Sequence, residues 1–418
     1  MVSKVKFLPF LILFLFGLNN VIVGYRLFDF SYDRLIQLLV FFFLLPLIFD
    51  DIKKDNHFKN ILFFFMGIFL LRIFVVFIAN IDGVYVDMQV AREIIRSFYF
   101  TIILCLVYYS LKRNENAINI YLFVMTLIAM MGFFQNPFTP FTDFASNFKM
   151  NYFIDNMSPE ELINATDSLA LFGFIPRVSG PYGSAVPFSY ALLTAMTVLS
   201  YKYIEKKNKI YFFLMLFFYI VGVMTLSRSL FIASSVVLLY VLYDIFRKRL
   251  VLLLSILIPF SAFAFLVILS ETRLLEFELS KNAGSSRINA LIAGFVTIIE
   301  NPIYATSETY LKNFELSCLQ FKLGDCYSVI SSHNGFVNVS EENTIFGLFI
   351  LLTIIYYLYR YSLLFKQSVR GLFISGLFAY IIQISFHNNI LFLSEYTFIL
   401  IIVLILLEKR KMNVISTI

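Results

Sequence analysis

Apolar blocks alternate with polar connectors along the whole chain. Twelve blocks, at about 6–24, 35–49, 60–79, 94–111, 117–134, 184–201, 210–225, 229–246, 250–269, 344–360, 371–386 and 390–407, predict twelve helices. A helix that crosses a bilayer needs about 20 mainly apolar residues, and these blocks approach that length. The short alternating segments of an outer-membrane barrel are absent from the pattern. The first block follows Lys4 and Lys6, as in a signal peptide. However, Gly17-Leu18-Asn19-Asn20 offers no small-x-small cleavage site, so this block is expected to stay as the first span.

Two polar stretches are long. In residues 135–183, Ser158-Pro159-Glu160-Glu161 reads as a helix start, with Ser as N-cap and Pro at the first helical position. Leu162, Ile163, Leu169 and Phe172 then predict a short helix on the membrane surface. In residues 270–343, Ser285-Ser286 caps a predicted helix through Ile288–Ile299 that Asn301-Pro302 ends. That helix is expected to lie at the interface or to line a cavity.

Composition agrees. Of 418 residues 60% are hydrophobic and 14% charged, with mean hydropathy +0.83, against about 45–50% and about 25% in soluble domains. The chain therefore reads as an all-α polytopic membrane protein, with residues 1–418 forming one membrane domain. A net charge of +6 invites a nucleic-acid partner, but its distribution points elsewhere. With both termini cytoplasmic, 20 of the 33 basic residues fall in short loops on that side, as the positive-inside rule requires. The two long stretches then become periplasmic loops, and no nucleic acid is expected.

Against that rule, Arg177, Arg228, Arg287 and His333 fall on the outer side. Arg177 lies in Pro176-Arg177-Val178-Ser179-Gly180-Pro181-Tyr182-Gly183, and Arg228 in Thr225-Leu226-Ser227-Arg228-Ser229 between two apolar blocks with almost no loop. Arg287 opens the capped helix. A guanidinium is a rigid fork of donors suited to phosphate oxygens, and several on one face suit a pyrophosphate headgroup. Snorkelling or pairing with a loop carboxylate is the plain alternative for any one of them. Arg72, inside the third block, is an intramembrane charge and so a functional candidate, as is Glu395 in the last block. Arg92 and Arg96 share a helix face, with Asp87 and Glu93 nearby to make it a solvated one.

His333 titrates near neutrality and can accept a proton, Asn334 beside it can orient a substrate or the imidazole, and His387 is a rival in a similar turn. His57 sits among cytoplasmic lysines. Cys318 and Cys326, eight residues apart, fit a loop disulfide in an oxidising compartment and fit two free thiols equally. Cys105 reads as packing. No paired cysteines or second histidine suggest zinc, and no phosphate-binding or nucleotide motif occurs in a usable context.

These features, in this order across about residues 170–350, resemble the O-antigen polymerase and O-antigen ligase family of membrane glycosyltransferases with a GT-C-like architecture. The residues that carry the resemblance are Arg177 through Gly183, Leu226-Ser227-Arg228, Arg287, Asn301-Pro302 and His333-Asn334-Gly335-Phe336. The resemblance implies glycosyl transfer without metal or other cofactor, from an undecaprenyl-pyrophosphate-linked oligosaccharide in membrane lipid. It also implies a chain-length regulator protein as partner. By the same analogy Arg177, Arg228 and Arg287 hold the leaving pyrophosphate, and His333 orients or deprotonates the attacking hydroxyl. Arg72, Tyr182 and Asn334 complete the expected substrate-binding set. Polymerase is the first expectation and ligase the second. A flippase for the same lipid-linked sugar belongs to a different class, in which two related halves are usual, and the halves here are not alike.

Overall fold

The computed structural model describes residues 7–19, 21, 26–27, 30–81, 87–136, 138–153, 170–171, 175–183, 185–246, 283–303, 307–321, 334–385 and 397–416. The predicted ninth block and surface helix, and with them Cys326, His333, His387 and Glu395, lie outside these residues. Helices occupy every other predicted block: α1 (Leu8–Gly17), α2 (Tyr32–Lys54), α3 (Asn56–Ile81), α4 (Asp87–Arg113), α5 (Ile118–Phe134), α7 (Ala185–Lys206), α8 (Lys209–Met224), α9 (Arg228–Phe246), α12 (Gly335–Ser362), α13 (Gln367–Ser385) and α14 (Thr397–Ser416). The capped helix is α10 (Ala283–Glu300). Two more were not anticipated, α6 (Thr142–Phe153) and α11 (Ser307–Phe321). Residue pairs Arg26–Leu27 and Phe30–Ser31, and Ala170–Leu171 and Ile175–Pro176, form two short antiparallel ladders.

Among the described residues six helices are long and apolar enough to cross a membrane: Arg34–Lys54, Asn56–Ile78, Glu115–Phe134, Ser229–Phe246, Asn343–Ser362 and Gln367–Ser385. The protein is thus a helical membrane protein. Within the first predicted span the described helix is α1, whose 10 residues make about 15 Å of helix, half of a hydrocarbon core. Its chain turns at Leu18–Asn19, where Leu18 and Asn19 bond back to Phe14 and Phe16.

Short polar side chains start several of these helices. Asp55 Oδ1 accepts from the amides of His57 and Phe58 at 3.0 and 3.1 Å ahead of α3, and Asn208 Oδ1 accepts from Ile210 at 2.9 Å ahead of α8. At the centre runs α7, buried over nearly its whole length and packed against α5, α8, α9, α13 and α14. Its hydroxyls are satisfied within the helix: Thr194, Thr197 and Ser200 donate to the carbonyls of Tyr190, Leu193 and Met196 at 2.9, 3.0 and 2.7 Å.

One end of the bundle gathers the basic turns and pairs them. Asp51 closing α2 meets Lys112 and Arg113 closing α4 at 2.9 and 3.4 Å. Lys411 in α14 meets Glu115 before α5 at 2.9 Å and Glu205 in α7 at 3.8 Å. Lys207 reaches Asp244 in α9 at 2.5 Å, and His57 Nδ1 lies 3.0 Å from the Tyr361 hydroxyl of α12. These pairs join turns that the charge distribution assigns to a single side. The opposite ends of α5, α8, α12 and α13 therefore lie together at the other end.

Small residues let helices approach. Gly132 faces Phe188, and Gly371 of α13 takes the ring of Tyr240 from α9, whose hydroxyl donates to the carbonyls of Gln367 and Ser368 at 3.2 and 2.6 Å. A Cβ at Gly371 would collide with that ring. Gly371→Val is expected to cost about 1–3 kcal/mol, read as a lower thermal midpoint in detergent. Adding Tyr240→Ala is expected to cost less than the sum of the two single changes; an unchanged Gly371→Val midpoint would remove this contact from the packing scheme.

Candidate functional site

At the end away from the ion pairs, residues 177–183 run without helix between α5, α7 and α8. Pro176 and Pro181 bar a helix here, and Gly180 turns the chain with φ +57°, a conformation open to glycine. Such a segment must find partners for its peptide groups. Gln135, just past the end of α5, supplies them. Its Oε1 accepts from the amides of Ser179 and Gly180 at 3.1 and 3.0 Å, and its Nε2 donates to Gly180 O at 2.7 Å. On the α8 side, the Val178 amide donates to Met224 O at 3.1 Å.

Arg177 is fixed by the same neighbour. Its Nε donates to Thr225 O at 2.8 Å, a carbonyl left over at the end of α8. There the chain reverses within three residues. Leu226 takes φ +52°, a left-handed position that a Cβ makes costly. Thr225 Oγ1 donates to Gly222 O at 2.7 Å, and the hydroxyls of Ser227 and Ser229 lie 3.2 Å apart. Arg228 is the first residue of α9. Two motifs some fifty residues apart thus meet: Arg177 is bonded to the turn that presents Arg228.

The other expected site residues fall at several places. Tyr182 is 3% exposed and tilts on Phe188 with ring centroids 5.7 Å apart, so it packs the core. Asn334 caps α12, its Oδ1 accepting from Phe336 and Val337 amides at 3.0 and 3.2 Å while its Nδ2 donates to Ser385 O of α13 at 3.0 Å. It clamps two helix ends together beside His333. Arg287 lies in the first turns of α10, which packs on α11 and α12. Arg72 is buried at 6% exposure on α3, a helix that packs on α12 and α4. Arg92 and Arg96 ride on α4. Cys318 is disulfide-bonded, and Cys105 is a buried free thiol.

Three features carried no mark in the residues themselves. Gln135 is one. The second is a break inside α12, where Asn343 (φ −133°, ψ 23°) and Thr344 (φ 63°, ψ 168°) leave the helical region and Ile345 donates to Pro302 O at 3.1 Å, past the end of α10. The third is Lys149 of α6, 4% exposed, whose Nζ donates to the hydroxyl of Ser179. Burial pushes its ammonium down from the usual 10.5 to about 8. Among the described residues no group of His, Cys, Asp and Glu is placed to hold a metal ion. No family model, no curated protein and no solved structure matches the chain.

Gln135→Leu leaves three backbone groups unpaired, each on the order of 1–3 kcal/mol, and is expected to lower the thermal midpoint more than Gln135→Glu. The pH dependence of Lys149 has a definite sign. Between about 8 and 10.5 the folded chain has shed a proton that the unfolded chain keeps, so stability rises with pH in that window and the gain is absent below it. Relative to Lys149→Met, the parent midpoint is expected to climb across this range; parallel curves would remove the burial of this ammonium.

Proposed function

We propose that the protein is a metal-independent glycosyltransferase, an O-antigen polymerase, that moves a growing glycan from undecaprenyl pyrophosphate onto the next lipid-linked repeat unit. In this reading both termini are cytoplasmic, the chain crosses a bacterial inner membrane twelve times, and the site faces the periplasm. The observation that carries it is the bond from Arg177 to Thr225, which sets two arginine motifs side by side at the end away from the paired basic turns. Cations gathered there by an all-α membrane protein suit a lipid-borne polyanion better than any soluble substrate.

The proposed chemistry uses the groups that the resemblance assigns, with the Arg177–Arg228 neighbourhood as its support. An acceptor hydroxyl oxygen attacks the anomeric carbon of the donor. The bond from that carbon to the phosphate oxygen breaks, and its electron pair leaves with the pyrophosphate. The hydroxyl proton passes to the imidazole of His333. Arg177, Arg228 and Arg287 neutralise the charge that grows on the leaving group, where preorganised donors lower a barrier most. The Arg177–Thr225 bond fixes one guanidinium before substrate arrives, so less ordering is left for the reaction itself.

Arg228→Ala and Arg287→Ala are each expected to cut polymer formation by about 10²-fold or more while the protein stays in the membrane. The lysine variants are expected to fail as well, since the fork of donors is lost. Normal long-chain polysaccharide from both alanine variants would sink the pyrophosphate clamp. His333→Ala is expected to be severely defective; full activity there with loss in His387→Ala transfers the role. Gene deletion sorts the classes on a lipopolysaccharide gel. Lipid A core bearing one repeat unit means polymerase, polymer left on carrier beside bare core means ligase, and intermediates held on the cytoplasmic face mean flippase.

A further inference from the structure

Lys149 is 4% exposed, and among the described residues no carboxylate pairs with it; its Nζ donates to a hydroxyl. An ammonium offers three donors, and one of them is taken by Ser179 Oγ. Burying a charge against a single neutral hydroxyl is unfavourable, and chains that do so usually supply the opposite charge from a ligand or neutralise the group. The position of this one is informative. Ser179 is held by Gln135 through its own amide at 3.1 Å, and it stands two residues from Arg177, whose guanidinium is held on Thr225 O at 2.8 Å. Ammonium and guanidinium thus sit on one fixed stretch of chain, the first reaching it from α6 and the second belonging to it.

We propose that Lys149 and Arg177 form an oxyanion-binding pair that takes the pyrophosphate of the lipid-linked glycan, the anion replacing the Ser179 hydroxyl on the ammonium. A pyrophosphate presents oxygens in many directions. It suits a pair in which one partner is a point charge with three donors and the other a planar fork. A carboxylate, with two oxygens in one plane, would leave a donor of the ammonium unused. Ser179 serves as the resting partner that keeps Nζ from being wholly unpaired while the site is empty. This inference rests on the glycan-transfer reading, and it names a binding residue on α6 that neither the arginine motifs nor the histidine turn contain.

The test uses the full chain in detergent, titrated with inorganic pyrophosphate, with undecaprenyl pyrophosphate and, separately, with phosphatidylglycerol micelles. The parent is expected to bind both pyrophosphates. Lys149→Met, neutral and of similar length, is expected to weaken both by tenfold or more. Lys149→Arg is expected to restore part of the affinity, and Ser179→Ala to keep it. Lys149→Gln serves as a second neutral variant, and only variants with a parent-like thermal midpoint are compared. Equal affinity in parent, Lys149→Met and Lys149→Gln overturns the pair and leaves the arginine-based reading standing. No pyrophosphate binding by the parent overturns the pair too. Equal, Lys149-dependent binding of phosphatidylglycerol assigns the site to a phospholipid headgroup and overturns the pyrophosphate assignment. Lys149-dependent pyrophosphate binding in a protein whose deletion leaves lipopolysaccharide unchanged would retain the pair and discard the glycan-transfer reading.

Discussion

In an apolar slab, a stretch of chain that is not helical has to find a partner for each buried peptide group, and here one side-chain amide does so for the central turn of the site. Gln135 closes three hydrogen bonds on Ser179 and Gly180. An amide is the side chain that can do this, because it offers an acceptor to two converging N–H groups and a donor to the carbonyl beside them. Once that turn is fixed, Val178 falls against the end of α8, Arg177 reaches Thr225, and Ser179 Oγ is presented to Lys149. The site is thus built from one irregular segment held between helix ends.

The two ends of the bundle handle charge in opposite ways. At one end the basic turns meet carboxylates from neighbouring helices, Asp51 with Lys112 and Glu115 with Lys411 among them. The half-exposed Lys411–Glu115 pair contributes little to stability, whereas Asp51 and Lys112 are nearly buried and loss of either would strand the other; as a set the pairs lock which helix ends lie side by side. At the other end the Arg177 guanidinium donates to the Thr225 carbonyl, and the Lys149 ammonium donates to the Ser179 hydroxyl. These bonds fix where both cations enter the turn, as the ion pairs fix the helix ends on the other side.

Much of this was legible in the residues, and the limits have physical causes. Helices announced themselves as apolar blocks, because burial is a local property; the caps at Asp55 and Asn208 are equally local but went unread. The α11 helix could have been read from Tyr310, Phe314 and Cys318, spaced four apart and buried on one face against Ala290 and Ala293 of α10. Gln135 could not, since its partners lie 44 and 45 residues away and nothing local distinguishes a clamping glutamine from a solvated one. The break in α12 is equally silent, because neither Asn343 nor Thr344 is a residue that forces a helix to end. Tyr182 and Asn334 lay in the expected motifs, and the fold shows what the motifs do not say: the ring of one packs on Phe188, and the amide of the other caps α12.

The length of α8 bears on the lipid around it. Its 16 residues make about 24 Å of helix, against about 30 Å of hydrocarbon. An apolar helix shorter than the hydrocarbon is accommodated by thinning of the bilayer around it or by protein that takes up its end. Protein does so here: Val178 N–H donates to Met224 O and Arg177 Nε to Thr225 O. The last carbonyls of α8 therefore need no water, and its polar end can lie below the level a longer helix would reach.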